Sequence, residues 1–296
     1  MENNTRFIPP CEKARKAFLE RFKKSEMGES LLLGRSILSR DIDLYKIGSG
    51  TRNVLYVGAH HGAEYLTASV LFDFIELLMK KRKNRASLFG HDSDLLLKEF
   101  SFWIVPCMNP DGVELALNGI DDNPLSARQT RMNPSLDFSD WQANARGVDL
   151  NHNYDYGFAE YKKLEIESDI TPGKTRYSGE YPESEPEVRS LASLVRSVSF
   201  SLVLSLHTQG EEIYYHPKTP RVFRLAERAE KCIGYKIKNA EGFAAFGGLC
   251  DYTGEILGVP SLTLELGKGK NPLPHSQYDA ISSRVIPLLC LLPTYL

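Results

Sequence analysis

The sequence predicts a three-layer α/β/α sandwich built on a mixed, mostly parallel sheet. Two observations carry this. Apolar, β-rich runs at residues 54–59, 101–106, 200–206 and 261–266 alternate with helical patterns along the chain. Such continuous runs suit strands covered on both faces. Strands alternating with helices give a sheet with helices packed on both sides.

The elements follow in order. Residues 1–50 read as an N-terminal extension packed on a single catalytic domain that spans 1–296. The run Val-Leu-Tyr-Val-Gly-Ala (54–59) is bounded by Asn53 and His60. A helix over 64–83 carries Leu66, Val70, Phe74, Leu77 and Leu78 on one face and ends in Lys80-Lys81-Arg82-Lys83. Basic residues in a last turn complement the helix dipole. Ser184-Glu185-Pro186-Glu187 reads as a capping box that opens a helix to about Val198. Thr219-Pro220 opens another, which stops at Gly234. Segments 117–147 and 154–183 are polar, rich in Pro, Gly and Asn, and receive no element. Loops of that length in a compact domain are often functional.

Composition narrows the function classes. Lys+Arg number 36 and Asp+Glu 38, a formal charge of −2. That balance argues against a nucleic-acid or anionic-membrane partner. The apolar stretch Val285–Pro293 is too short to span a bilayer. The start has no apolar core like that of a signal peptide. Cys11, Cys107, Cys232, Cys250 and Cys290 are odd in number and widely spread, unlike a disulfide framework or a zinc knuckle. A cytoplasmic location is the expectation; the sequence says nothing of oligomeric state.

His60-His61-Gly62-Ala63-Glu64 directly follows the run 54–59. His61 and Glu64, three apart at a strand end, can point at one spot, and imidazole with carboxylate suits zinc. His60 lacks that spacing. His207 ends the apolar strand 200–206 and supplies a third ligand. In an open α/β sheet, ligands gather outside the carboxyl ends of strands. His91, His216 and His275 read as structural or surface residues in loops.

Further motifs follow in order: Asn109-Pro110-Asp111-Gly112, Arg146-Gly-Val-Asp-Leu-Asn151-His152-Asn153, Ser184-Glu-Pro-Glu187, His207 and Thr263-Leu-Glu265-Leu266-Gly267. With the HxxE motif, this order resembles the zinc carboxypeptidase family over residues 50–270. The stretches Val-Gly-Ala-His-His-Gly, Trp141-Gln-Ala-Asn-Ala-Arg-Gly-Val-Asp-Leu-Asn-His-Asn and His207-Thr-Gln-Gly-Glu-Glu-Ile-Tyr resemble its bacterial γ-D-glutamyl-diamino acid peptidase branch.

The resemblance implies one zinc ion per chain, held by His61, Glu64 and His207, with Glu265 as general base. It implies Arg146 as oxyanion stabiliser, with Arg128 and Arg131 in contention. Asn151 and His152 stand where the broader family has Asn-Arg and clamps a terminal carboxylate, so that clamp is weakened here. Phe243 stands at the spacing of the family's mobile tyrosine and lacks its hydroxyl. Cys250, just before Asp251, marks the floor of the specificity pocket. Glu211 or Glu212 could meet a substrate ammonium, and Arg128 or Arg131 a carboxylate. The implied substrate is a peptidoglycan-derived peptide, cut between γ-D-glutamate and diaminopimelate or lysine. The alternatives are a carboxypeptidase or N-acyl amino acid amidohydrolase of the same fold, or a non-catalytic binding protein.

Overall fold

A computed structural model describes residues 7–84 and 87–296; the side chains of 81–84 are outside the described set, so the basic run Lys81-Arg82-Lys83 lies outside the described residues. The main sheet holds eight strands in the order β1-β2-β6-β3-β7-β10-β8-β9. These are β1 (Glu29–Arg35), β2 (Asp41–Ile47), β3 (Arg52–Val57), β6 (Phe100–Val105), β7 (Phe200–Thr208), β8 (Glu212–His216), β9 (Lys236–Ile237) and β10 (Ser261–Leu266). A separate two-residue hairpin pairs β4 (Ser87–Leu88) with β5 (His91–Asp92). The centre is parallel: β3 pairs with β6 and β7, and β7 with β10. Antiparallel pairs flank it at β1/β2, β2/β6 and β10/β8, and the short edge strand β9 runs parallel to β8.

The expected apolar runs are the central strands, and they are covered on both faces. One layer packs Phe18, Phe74, Leu225 and Val285 against Val54, Tyr56 and Leu204. The other packs Val188, Leu191 and Leu249 against Leu55, Val57 and Val203. Residues 29–47 are not an appended segment: β1 and β2 extend the sheet itself. In β2 Ile42 and Leu44 face one layer and Tyr45 and Ile47 the other, but Asp41, Asp43 and Lys46 interrupt the apolar run and make it a weaker signal than the central strands.

The helix Pro220–Ile233 has the predicted ends. Thr219 accepts from the Val222 N–H, and Gly234 closes the helix at φ 78°. The helix at 186 begins differently. It spans Pro186–Ser197 and no side chain caps it. Ser184 Oγ donates to Glu185 Oε1, and Glu187 Oε1 accepts from the Ile37 N–H instead of turning back to a cap. Pro186 at the first helical position removes one of the orphan donors a capping box would satisfy. The two unassigned segments contain short helices, Ser126–Met132 and Phe158–Glu167. No helix among the described residues is long and apolar enough to cross a membrane.

Candidate metal centre

The chain leaves β3 into a turn built around backbone contacts. The Gly58 N–H donates to Val105 O, and Asn109 N–H to Ala59 O. Gly62 and Ala63 then donate to Gln142 O and Trp141 O. A Cβ at Gly62 would meet the Gly112 carbonyl oxygen at 2.3 Å, so only glycine permits this approach. Asn109 ties the pieces together: its Nδ2 donates to His60 O and Gln142 O, and its Oδ1 accepts from the Gly112 N–H. The Asn-Pro-Asp-Gly and Trp-Gln-Ala-Asn motifs are thus the mould for the turn Gly62–Glu64.

That turn aims His61 and Glu64 at His207 on β7. Potential donor atoms of His61, Glu64 and His207 all lie within 4.8 Å of one another. The Nδ1 atoms of His61 and His207 each lie 3.0 Å from the Glu64 carboxylate. The outward-facing atoms are held from behind. His61 Nε2 meets Asp149 Oδ1 at 2.9 Å, and His207 Nε2 meets the Ser205 hydroxyl at 3.1 Å. Glu64 accepts from Asn271 Nδ2 at 3.1 Å and from the Thr208 N–H at 3.2 Å. Two imidazole nitrogens and a carboxylate, converging inward and braced outward, fit a tetrahedral zinc site with one open position.

Charge around the site is steep. Burial opposes the imidazolium of His61, but Asp149 and Glu64 outweigh it and raise its pKa well above the ordinary value. Burial alone would raise Glu64, yet His61 and His207 bring it down to about 2. Asp149 is likewise held below the carboxylate range despite its burial, chiefly by His61 and His152. His60 is the reverse case: burial, with His207 and His61 beside it, pushes it well below the ordinary value. It stacks on His207 and meets Tyr154 Oη at 3.0 Å, a supporting place in the wall.

A cavity of about 250 Å³ opens beside the cluster, lined by His61, His207, Asp149, Glu265 and the residues discussed next. Glu265 Oε2 accepts from the Gln209 N–H at 3.0 Å. Burial and the nearby Glu64 raise its pKa well above the ordinary value.

Asn151, His152, Cys250 and Asp251 also line this cavity. Asn151 Oδ1 accepts from the Leu249 N–H. His152 Nδ1 donates to the Phe246 carbonyl at 2.9 Å, its ring lies on Tyr161, and burial lowers its pKa. The Cys250 thiol, pushed up to about 12 by burial, donates to Leu262 O, which removes it as a nucleophile. Asp251 Oδ1 lies 2.9 Å from His216 Nε2. His216 is therefore a structural residue of the cavity wall, buried at the end of β8 and not in the loop the sequence suggested.

The three predicted arginines are not brought to this cavity. Arg146 donates through Nε and Nη2 to Glu185 and faces a separate open cleft of about 820 Å³. Glu185 is almost fully buried and draws the guanidinium away from the metal cluster. Arg128 donates to Arg146 O and, like Arg131, is exposed on the helix Ser126–Met132. Glu211 pairs with Lys268 and Arg284, and Glu212 accepts from Tyr214 Oη. Sequence reasoning missed Asp149, Ser205, Asn271 and Arg176. Asp149 stood inside a quoted motif and could have been found there. The others carry no local sequence signal.

Comparison with known proteins agrees with this geometry. Residues 16–283 match the zinc carboxypeptidase family. The chain is 33% identical over 255 residues to gamma-D-glutamyl-L-diamino acid endopeptidase 1 of Lysinibacillus sphaericus, covering 84% of this chain and 63% of that protein. The chain thus spans less than two thirds of that relative's length. It is 31% identical over 260 residues to Bacillus subtilis YqgT, covering 84% of this chain and 67% of that protein. Among solved structures, thrombin activatable fibrinolysis inhibitor superposes with a TM-score of 0.72 at 20% identity, covering 96% of this chain and 72% of that chain. Carboxypeptidase A from Helicoverpa armigera gives 0.68 at 17% identity, covering 95% and 70%. By its sequence, its fold and a donor set that fits the family's zinc, the chain belongs to the zinc carboxypeptidase family of metallopeptidases.

Proposed function

We propose that the protein hydrolyses the amide bond between γ-D-glutamate and a diamino acid in peptidoglycan-derived peptides. The observation that carries this reading is the 33% identity to a gamma-D-glutamyl-L-diamino acid endopeptidase, spread over 84% of the chain. The cavity chemistry agrees. His152, with its one N–H spent on Phe246 O, offers little to the terminal carboxylate on which an ordinary carboxypeptidase relies. All five cysteines are free thiols, which suits action on soluble fragments in the reducing cytoplasm.

His61, Glu64 and His207 would hold the zinc, which polarises the scissile carbonyl and acidifies water. Asp149 and Ser205 fix the ring orientations, and Asn271 with the Thr208 N–H fixes Glu64. Glu265 has one oxygen held by the Gln209 N–H. Its carboxylate takes a proton from the attacking water and passes it to the leaving amine. The water oxygen bonds to the acyl carbon, the C–N bond breaks, and the amine leaves neutral.

The test is incubation of the zinc-loaded protein with L-Ala-γ-D-Glu-meso-diaminopimelate and mass analysis of the products. Release of L-Ala-D-Glu and free diaminopimelate is expected. Intact tripeptide after prolonged incubation overturns the reading.

A further inference from the structure

The cavity wall carries the carboxyl groups of Asp149, Asp251 and Glu265. Among the described residues that line it, Arg176 is the one fixed cation. Its main chain is held at both ends by groups of the site. The Arg176 N–H donates to Asp149 Oδ2 at 2.9 Å, the same carboxylate that braces His61. Its carbonyl accepts from Tyr161 Oη at 2.8 Å, and Tyr161 lies against His152. Between these two bonds Arg176 has φ 68°, a left-handed conformation that bulky residues adopt only when the surroundings impose it.

The side chain forms part of the cavity lining. The guanidinium carbon sits 5.1 Å over the ring of Phe243, another lining residue. No carboxylate forms an ion pair with it among the described residues. Several arginines elsewhere are paired, Arg21 with Glu76, Arg35 with Asp41 and Arg196 with Glu183, while others on the open surface are not; Arg176 differs from the latter in lining the cavity. A planar guanidinium resting on an aromatic face, with its N–H groups unspent, is arranged to take a carboxylate from outside.

We infer that Arg176 is the specificity-determining cation of the cavity and binds a carboxylate of the substrate. This rests on the peptidase reading above. A γ-D-glutamyl-diaminopimelate peptide offers three candidates: the free α-carboxylate of the glutamate, about three carbons from the scissile carbonyl, and the two carboxylates of the diaminopimelate, one C-terminal and one at the end of its side chain. All three present the same chemistry to Arg176, and the test separates them.

Four forms of the tripeptide are compared: the full acid and the forms amidated at the glutamate α-carboxyl, at the C-terminus, or at the side-chain carboxyl of the diaminopimelate. In the wild type, one amidation lowers kcat/KM by about 10- to 100-fold, the range for losing a charge-assisted contact, and the change falls mainly in KM. In Arg176→Gln that penalty disappears, because acid and amide are now bound alike. Arg176→Lys keeps part of it, since charge remains but the fork is lost. Zinc content and melting temperature of both variants are checked against the wild type. Equal losses for acid and amide in Arg176→Gln, carried by kcat, overturn the inference, as does an amidation penalty that survives the substitution.

A second readout stands apart from peptide cleavage. Binding of succinate and of its monoamide, succinamate, to the zinc-loaded protein is measured by calorimetry. Succinate has one carboxylate for the metal and one for Arg176, so it binds the wild type more tightly, and Arg176→Gln removes the difference. A succinate preference that depends on Arg176, in a protein that cleaves no γ-D-glutamyl peptide, keeps the cation site and refutes the substrate reading. A preference unchanged by Arg176→Gln refutes the site even where the tripeptide is cut.

Discussion

Asp149 Oδ1 lies 2.9 Å from Nε2 of His61, while the other nitrogen of that ring faces Glu64. The second oxygen of Asp149 takes the Arg176 N–H, so one buried carboxylate sets both the metal ligand and the cavity rim. A carboxylate behind a ligating imidazole fixes the tautomer and makes the inner nitrogen a better donor.

Asp149→Asn tests this bracing. The amide keeps one acceptor oxygen, whereas the carboxylate serves the His61 ring and the Asn151 N–H on one oxygen and the Arg176 N–H and Thr175 hydroxyl on the other. Zinc affinity should fall by about 10- to 100-fold, the usual cost of losing such a partner. Competition with a chelator measures it. Affinity within twofold of wild type would mean that His61 is oriented by the Glu64 contact alone.

Glu265→Gln should keep zinc and lose turnover. The amide oxygen can still accept from Gln209, so the strand end keeps its shape. It cannot take the proton of water, and loss of a general base costs roughly 10²–10⁴-fold in kcat. A zinc-replete variant with near-normal kcat would move the base elsewhere.

Arg146 separates a family expectation from a local geometry. Its guanidinium is engaged by Glu185, which also accepts from Asn144 Nδ2 at 2.6 Å. Arg146→Ala should therefore act on stability. It strands a carboxylate that is 3% exposed, at a cost of about 1–3 kcal/mol after allowing for the arginine's own exposure. Thermal denaturation reads that loss, and kcat should stay near wild type. A kcat loss of about 10²–10³-fold with unchanged melting temperature is the signature of an oxyanion donor and would restore the assignment.

These comparisons show what is legible in the chain. The central strands were legible because full burial on both faces demands continuous apolar runs, as in Val54–Val57. His61 and Glu64 were legible because one short turn carries both. The brace Asn271 was not, because it reaches Glu64 across 207 positions of sequence. Nor was the direction of Arg146, which is decided by the buried Glu185, 39 residues on. The Ser184–Glu187 pattern misled for a related reason: a tertiary partner, the Ile37 N–H, outcompetes the local cap for Glu187.

Glu187 supplies a last prediction, on pH. Three carboxyl groups, Asp111, Glu185 and Glu187, are buried at this end of the sheet. Arg40 pairs with Asp111 and Arg146 with Glu185, so no cation is left for Glu187. The Ile37 N–H donates to Oε1 and its own backbone N–H also meets the carboxyl group, while its Oε2 has no partner. Burial, reinforced by Asp111 and Glu185, raises its pKa from 4.5 to about 8. Between those two values the folded chain holds a proton that the unfolded chain releases. The contribution to stability is thus complete below the unfolded value and is lost as pH rises toward the folded one. The slope approaches about 1.4 kcal/mol per pH unit in that window, an upper bound for one group. Glu187→Gln, neutral at every pH and able to accept the same Ile37 N–H, should flatten the profile. The measurement is denaturant unfolding at several pH values between 5 and 9 for both proteins. The wild type should weaken relative to the variant as pH rises. Parallel profiles would show that Glu187 ionises in the folded state at its ordinary pKa and that water or a shifted Arg40 serves the second oxygen.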